Sequence, residues 1–126
     1  MPKLSMSDKR TIGELENGRH RLLSEPSSLL SNLRHKLGSI TSNMYIFECV
    51  PEQGEDLYGV LVDGATVVHI EIPRNPQSGE VMFQRWSVKE YLNTPKTRPR
   101  GMRRRVFEIA LRLGERRASG LSAIKD

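Results

Sequence analysis

The stretch LYGVLVDGATVVHIEI (57–72) constrains the fold more than any other part of the chain. Two runs of β-branched and aromatic residues flank Asp63-Gly64, and a type I′ turn needs positive φ at two positions that Asp and Gly tolerate. The pair therefore reads as a β-hairpin. A two-residue turn sets the expected register, with Val62 opposite Ala65, Val60 opposite Val67 and Tyr58 opposite His69.

The hairpin has neighbours of the same kind. MYIFECV (44–50) precedes it and VMFQRWSV (81–88) follows it, each bounded by turn residues. Pro73 cannot donate to a ladder and should close the third strand, and PRNPQSG supplies the next connection. That connection also explains the PRNP prolines without a proline-rich recognition motif. Four short strands joined by short turns predict an antiparallel meander.

Helical signals lie on both sides of the strands. Leu29, Leu30, Leu33 and Leu37 recur at helical spacing, with Ser27-Ser28 to cap the start and Gly38 to end it. Thr11 and Glu14 form a capping-box pattern, but Gly13 and Asn17-Gly18 predict that any helix there is short, and residues 1–10 read as a disordered tail. Ser87 with Glu90 marks a short helix that ends before Pro95. A basic linker, 94–101, leads to a last helix over about 102–117. On that helix Met102, Val106, Ile109, Ala110 and Leu113, extended by Phe107 and Leu111, form an apolar arc, and Arg105, Arg112 and Arg116 form a separate stripe.

These signals predict an α+β fold: a four-stranded antiparallel sheet with an N-terminal helical segment and a long C-terminal amphipathic helix packed on one face. At 126 residues the chain fits a single domain, 1–126. No stretch approaches the roughly 20 apolar residues of a membrane span, and MPKLSMSDKR lacks the apolar run of a signal peptide. One cysteine, Cys49, lies in an apolar run and is expected to be a small core residue in a reducing compartment. A cytoplasmic protein with no membrane association is the expectation.

Charge is divided sharply along the chain. Residues 1–43 carry seven Lys/Arg and four Asp/Glu, residues 44–84 one and seven, and residues 85–126 twelve and four. The C-terminal third is thus strongly basic and the strand region acidic, which points either to an anionic partner or to attraction between sheet and helix. Lys96, Arg98, Arg100, Arg103, Arg104 and Arg105 cluster in the linker and first helical turn, where arginine forks can hold phosphates bidentately. Cations belong at a helix's C-terminal end, so their crowding at an N-terminus argues against a purely structural role.

Other chemistry is thinner. In the expected register His69, Tyr58 and Glu71 would share a face, yet no nucleophile motif accompanies them. His20, His35, His69 and Cys49 lack zinc spacing, the acidic residues form no calcium loop, and the glycines spell no phosphate loop. No metal, cofactor or catalytic residue is expected.

Two functions from different classes remain. One is a small non-catalytic module that binds nucleic acid or another polyanion through the basic loop and helix start. The other is a protein-binding adaptor, a chaperone-like protein or an immunity-type inhibitor, meeting a charged protein through Arg112 and Arg116 or through Glu52, Glu55 and Asp56. With one sheet face covered by the helix, the other is expected to be semi-apolar through Val60, Val62 and Val67, a surface suited to a homodimer.

Overall fold

A computed structural model describes residues 5–75, 77 and 79–120. The elements run α1 (Met6–Ser24), α2 (Ser28–Leu37), β1 (Met44–Glu52), β2 (Glu55–Val62), β3 (Thr66–Pro73), β4 (Met82–Ser87), α3 (Val88–Asn93) and α4 (Gly101–Ala118). The strands form one antiparallel sheet in the order β1-β2-β3-β4, the expected meander. Local chemistry sets most boundaries. Ser27 Oγ accepts from Leu30 N to start α2, Gly38 ends it at φ 83°, and Ser87 with Glu90 forms a complete capping box at α3.

The first helix departs from expectation. It is 19 residues long, is capped by Ser5 and runs through Gly13 and Gly18 without a break. Residues 6–10, read as part of a tail, are its first turn; residues 1–4 of that tail lie outside the described residues. Two interior glycines cost about 1 kcal/mol each relative to alanine. Tertiary contacts outweigh that cost: Leu15 and Leu22 are buried, and Asp8 and Glu16 pair with α4.

The central turn has the expected conformation with a different register. Asp63 (φ 55°) and Gly64 (φ 67°) both take positive φ, and Ala65 N donates to Val62 O at 3.1 Å. Ala65 then stays out of the ladder, so Val62 pairs with Thr66, Val60 with Val68, Tyr58 with Ile70 and Gly59 with His69. One extra residue exchanges every cross-strand partner and assigns Val60 and Val67 to opposite faces.

Both faces are covered as a result. On one, Tyr45, Leu61 and Val67 pack with Leu15, Tyr91, Phe107, Ile109 and Leu113. On the other, Met44, Val60, Val62, Val68 and Ile70 pack with Leu22, Leu29 and Leu33. Each fully buried large apolar side chain contributes about 1.5–3 kcal/mol relative to exposure. Val60, Val62 and Val67, expected to form a semi-apolar dimer surface, are all buried. Because α1 supplies Leu15 to one core and Leu22 to the other, it wraps the outer edge of β1.

Two glycine contacts set how closely the layers approach. A bulge in β1 between Ile46 and Glu48 turns Phe47 over Gly59, where a Cβ would stand 2.9 Å from the Phe47 ring. A Cβ on Gly114 of α4 would lie 3.0 Å from Gly64 Cα, and Asn43 Nδ2 donates to Gly114 O at 2.8 Å beside it. α4 therefore lies along the sheet with its C-terminal half on the β2–β3 turn and its start near Glu48. Phe107, Ile109, Ala110 and Leu113 of the expected arc are buried, whereas Met102, in the first turn of α4, is 74% exposed. Among the described residues no helix is long and apolar enough to cross a membrane.

Candidate functional site

The basic linker is an ordered support for the start of α4. Thr97 Oγ1 donates to Tyr91 O at 2.8 Å, Arg98 N donates to Thr94 O at 3.0 Å, and Pro99 is buried. Tyr91 is fully buried in the aromatic core, so these bonds fasten the linker to that core. The chain enters α4 through Arg100, whose extended backbone (φ −130°) forms the N-cap with no capping side chain, and through Gly101 at φ 61°. An uncapped start leaves the first N–H groups directed outward, where a helix carries partial positive charge.

The six cations expected to form a polyanion site divide into two groups. Arg103 donates through Nε to Glu48 Oε2 at 2.9 Å and also through Nη2, and the Glu48 side chain is only 7% exposed. Arg105 holds Asp8 through two bonds, Nε–Oδ1 at 3.0 Å and Nη2–Oδ2 at 2.6 Å. Those two arginines fasten α4 to β1 and α1. Lys96, Arg98 and Arg100 are exposed and Arg104 is half-buried, and among the described residues no carboxylate pairs with any of the four.

The second expected surface is split. Arg112 and Arg116, with Glu108, Leu111, Glu115 and Ser119, line an open groove of about 420 Å³ on the outer side of α4. Glu52, Glu55 and Asp56 lie at the β1–β2 hairpin, near the other end of the sheet from the Gly64–Gly114 contact. Asp56 is held by Arg74 at 2.9 Å, while Glu52 and Glu55 stand directly opposite one another as a like-charged pair. Burial pushes the nearby Glu71 carboxyl above its ordinary range, and the charges of Glu55 and Glu52 push it further.

The register dissolves the His69–Tyr58–Glu71 trio. Tyr58 lies on the opposite face from His69, whose Nε2 is instead 3.1 Å from the Tyr91 hydroxyl. Trp86 stands edge-on to the imidazole with ring centroids 5.0 Å apart. Burial lowers the His69 pKa, Arg103 lowers it further and Glu48 opposes them, while burial raises Tyr91 to about 12. The pair is a neutral hydrogen bond within an aromatic cluster. Sequence pattern missed this partnership because Tyr91 is 22 residues away on a different element.

Cys49, expected in the core, is exposed, in the part of β1 beyond the bulge, where residues 49–52 are all exposed. Burial of the thiol and the charge of Asp56 raise its pKa, which disfavours the reactive thiolate. Tyr58 and Trp86 are half-buried on the sheet. Among the described residues no group of three or more His, Cys, Asp or Glu is placed to hold a metal. No protein-family description, curated protein or solved structure matches the chain significantly.

Proposed function

We propose that this chain is a small non-catalytic cytoplasmic binding module that takes a polyanion, foremost nucleic-acid phosphate, at the start of α4. The observation that carries this reading is the gathering of Lys96, Arg98, Arg100 and Arg104, none paired with a carboxylate among the described residues, around a helix start without a capping side chain. Cations at a helix's positive end are unfavourable by a few tenths of a kcal/mol each. A phosphate would relieve that repulsion, accept the outward N–H groups and receive the guanidinium forks.

Binding of this kind reads backbone charge rather than base sequence. A variant carrying Arg98→Ala, Arg100→Ala and Arg104→Ala should lose affinity for labelled single-stranded and duplex oligonucleotides alike in fluorescence anisotropy. Arg103 and Arg105 are unsuitable for this test, because their removal strands Glu48 and Asp8. Undiminished binding by the triple variant would refute the reading.

A second reading rests on the acidic hairpin. Glu52 opposite Glu55, with Glu71 nearby, concentrates negative charge that Arg74 only partly offsets, which suits a basic surface on a protein partner. An adaptor or inhibitor would lose that partner on Glu52→Gln with Glu55→Gln and keep it in the arginine variant. Self-association through Val60, Val62 and Val67 is not available, because all three are buried.

A further inference from the structure

The two edges of the sheet are treated differently. α1 wraps the outer edge of β1, whereas among the described residues β4 pairs with β3 alone. Val88 N donates to Ala65 O, and continuing that alternation down the ladder directs Trp86, Gln84 and Met82 toward β3. Phe83, Arg85 and Ser87 therefore direct their backbone N–H and C=O groups outward. The capping box agrees, since Glu90 Oε1 reaches the outward Ser87 N–H from outside the sheet at 3.0 Å. No bond to the backbone N–H or C=O of Phe83 or Arg85 occurs on that side among the described residues.

An open edge is a template for another strand, and proteins commonly blunt it with proline, lysine, a bulge or a covering element. β4, MFQRWS, has one arginine but no proline, lysine or bulge, and among the described residues no element covers its edge. We infer that β4 pairs antiparallel with β4 of a second copy of this chain, with Gln84 on the two-fold axis, giving one continuous eight-stranded sheet.

Self-complementarity selects this occupant. Antiparallel symmetric pairing keeps the two faces of the sheet in common and allows only registers that pair residues of the same face. In the register centred on Gln84, Phe83 and Arg85 of one copy form hydrogen-bonded pairs with Arg85 and Phe83 of the other, so the N–H and C=O groups of Phe83 and Arg85 in both copies are all used. A register centred on Arg85 would require the Ser87 N–H, which Glu90 already occupies. The side chains agree. On the face packed against α4 Met82, 57% exposed, meets Trp86 of the second copy, and on the face packed against α2 exposed Arg85 meets the half-buried Phe83 ring. Charge also permits the contact: Glu80, Arg85, Lys89 and Glu90 around the edge cancel, although the chain as a whole is +5.

The axis is perpendicular to the sheet, so both basic segments 96–104 emerge on one face of the dimer.

The test is the mass of the full chain by light scattering and sedimentation over a dilution series, with amide exchange read by NMR. The wild type is expected to reach twice the 14.4 kDa chain mass, with slow exchange at the Phe83 and Arg85 amides. Gln84→Lys sets two like charges about 5 Å apart across the axis and should give one chain's mass. Gln84→Glu should do the same, and an equimolar mixture of the two variants should recover the doubled mass as a heterodimer. Arg85→Pro removes an outward N–H without touching the β3 ladder and should also be monomeric, with circular dichroism unchanged. A monomeric wild type at the highest concentration overturns the inference. So does a dimer that survives the Gln84 variants, or a mixture that stays monomeric while both proteins are folded.

Discussion

Arg105 reaches from α4 to the first turn of α1 and holds both oxygens of Asp8, with Nη2 2.6 Å from Oδ2. A second crossing lies about two turns further along α1 and about three turns further along α4, where Arg117 Nη2 meets Glu16 at 2.9 Å and Arg117 Nε meets the buried Tyr45 hydroxyl. Together they explain why α1 persists through two glycines. The helix is held at two points by charge and buries Leu15 between them.

The pH dependence follows from these pairs. The Arg105 hydrogen bond lowers Asp8, and the Tyr45 and Arg117 bonds outweigh burial to lower Glu16. A carboxyl whose folded pKa lies below its unfolded value near 4 stabilises fully above about pH 5, and that contribution is lost as pH falls through the lowered value. Urea midpoints should therefore drop on the acid side of pH 4. The double variant Asp8→Asn with Glu16→Gln should be less stable than the wild type at pH 7 and should show a shallower acid limb. An acid limb of unchanged slope would contradict the assignment.

His69 contributes in a neighbouring window. Its folded pKa is lowered, chiefly by burial, so the unfolded chain binds the proton more readily, and a penalty absent above about pH 6.5 grows as pH falls below it. NMR titration should show the imidazole protonating below about pH 6.5. Tyr91→Phe removes its hydrogen-bond partner and should cost about 1 kcal/mol at pH 7. A His69 titrating at or above its ordinary value would contradict the burial described.

Glycine substitutions should separate into two classes. Gly18→Ala meets nothing within 4 Å inside α1 and should stabilise by about 0.5–1 kcal/mol. Gly114→Ala gains the same propensity but drives a Cβ to 3.0 Å from Gly64 Cα and 3.2 Å from Gly64 N, and backbone cannot yield as a side chain does. Its net effect should be a loss of about 1–3 kcal/mol by overpacking. Equal signs for the two substitutions in urea denaturation would refute the close approach.

The contrast between those glycines shows what local pattern conveys. Strand identity, the α2 stop at Gly38 and the Ser87–Glu90 box depend on residues within a few positions of one another, and all were legible. Asp63-Gly64 announced its turn, but nothing in the sequence revealed that Ala65 would be left out of the ladder, and that one residue dissolved the His69–Tyr58 pairing and buried the expected dimer face. α1 was misjudged because its glycines are local while its supports, Arg105 and Arg117, are 97 and 101 residues from the carboxylates they hold. The basic segment was legible as charge. Its division into two fastening arginines and four cations without a carboxylate partner among the described residues was not, because Glu48 and Asp8 reach it only through the tertiary fold.

The most direct measurement is the salt dependence of oligonucleotide affinity for the wild type and the Arg98→Ala/Arg100→Ala/Arg104→Ala variant. Affinity should fall linearly with salt on a log–log scale, with a slope of about 0.9 for each duplex phosphate neutralised. The variant's slope should be shallower by about 2–3 on the same counting. Absence of binding at low salt, or an identical slope in both proteins, would contradict a polyanion site at the start of α4.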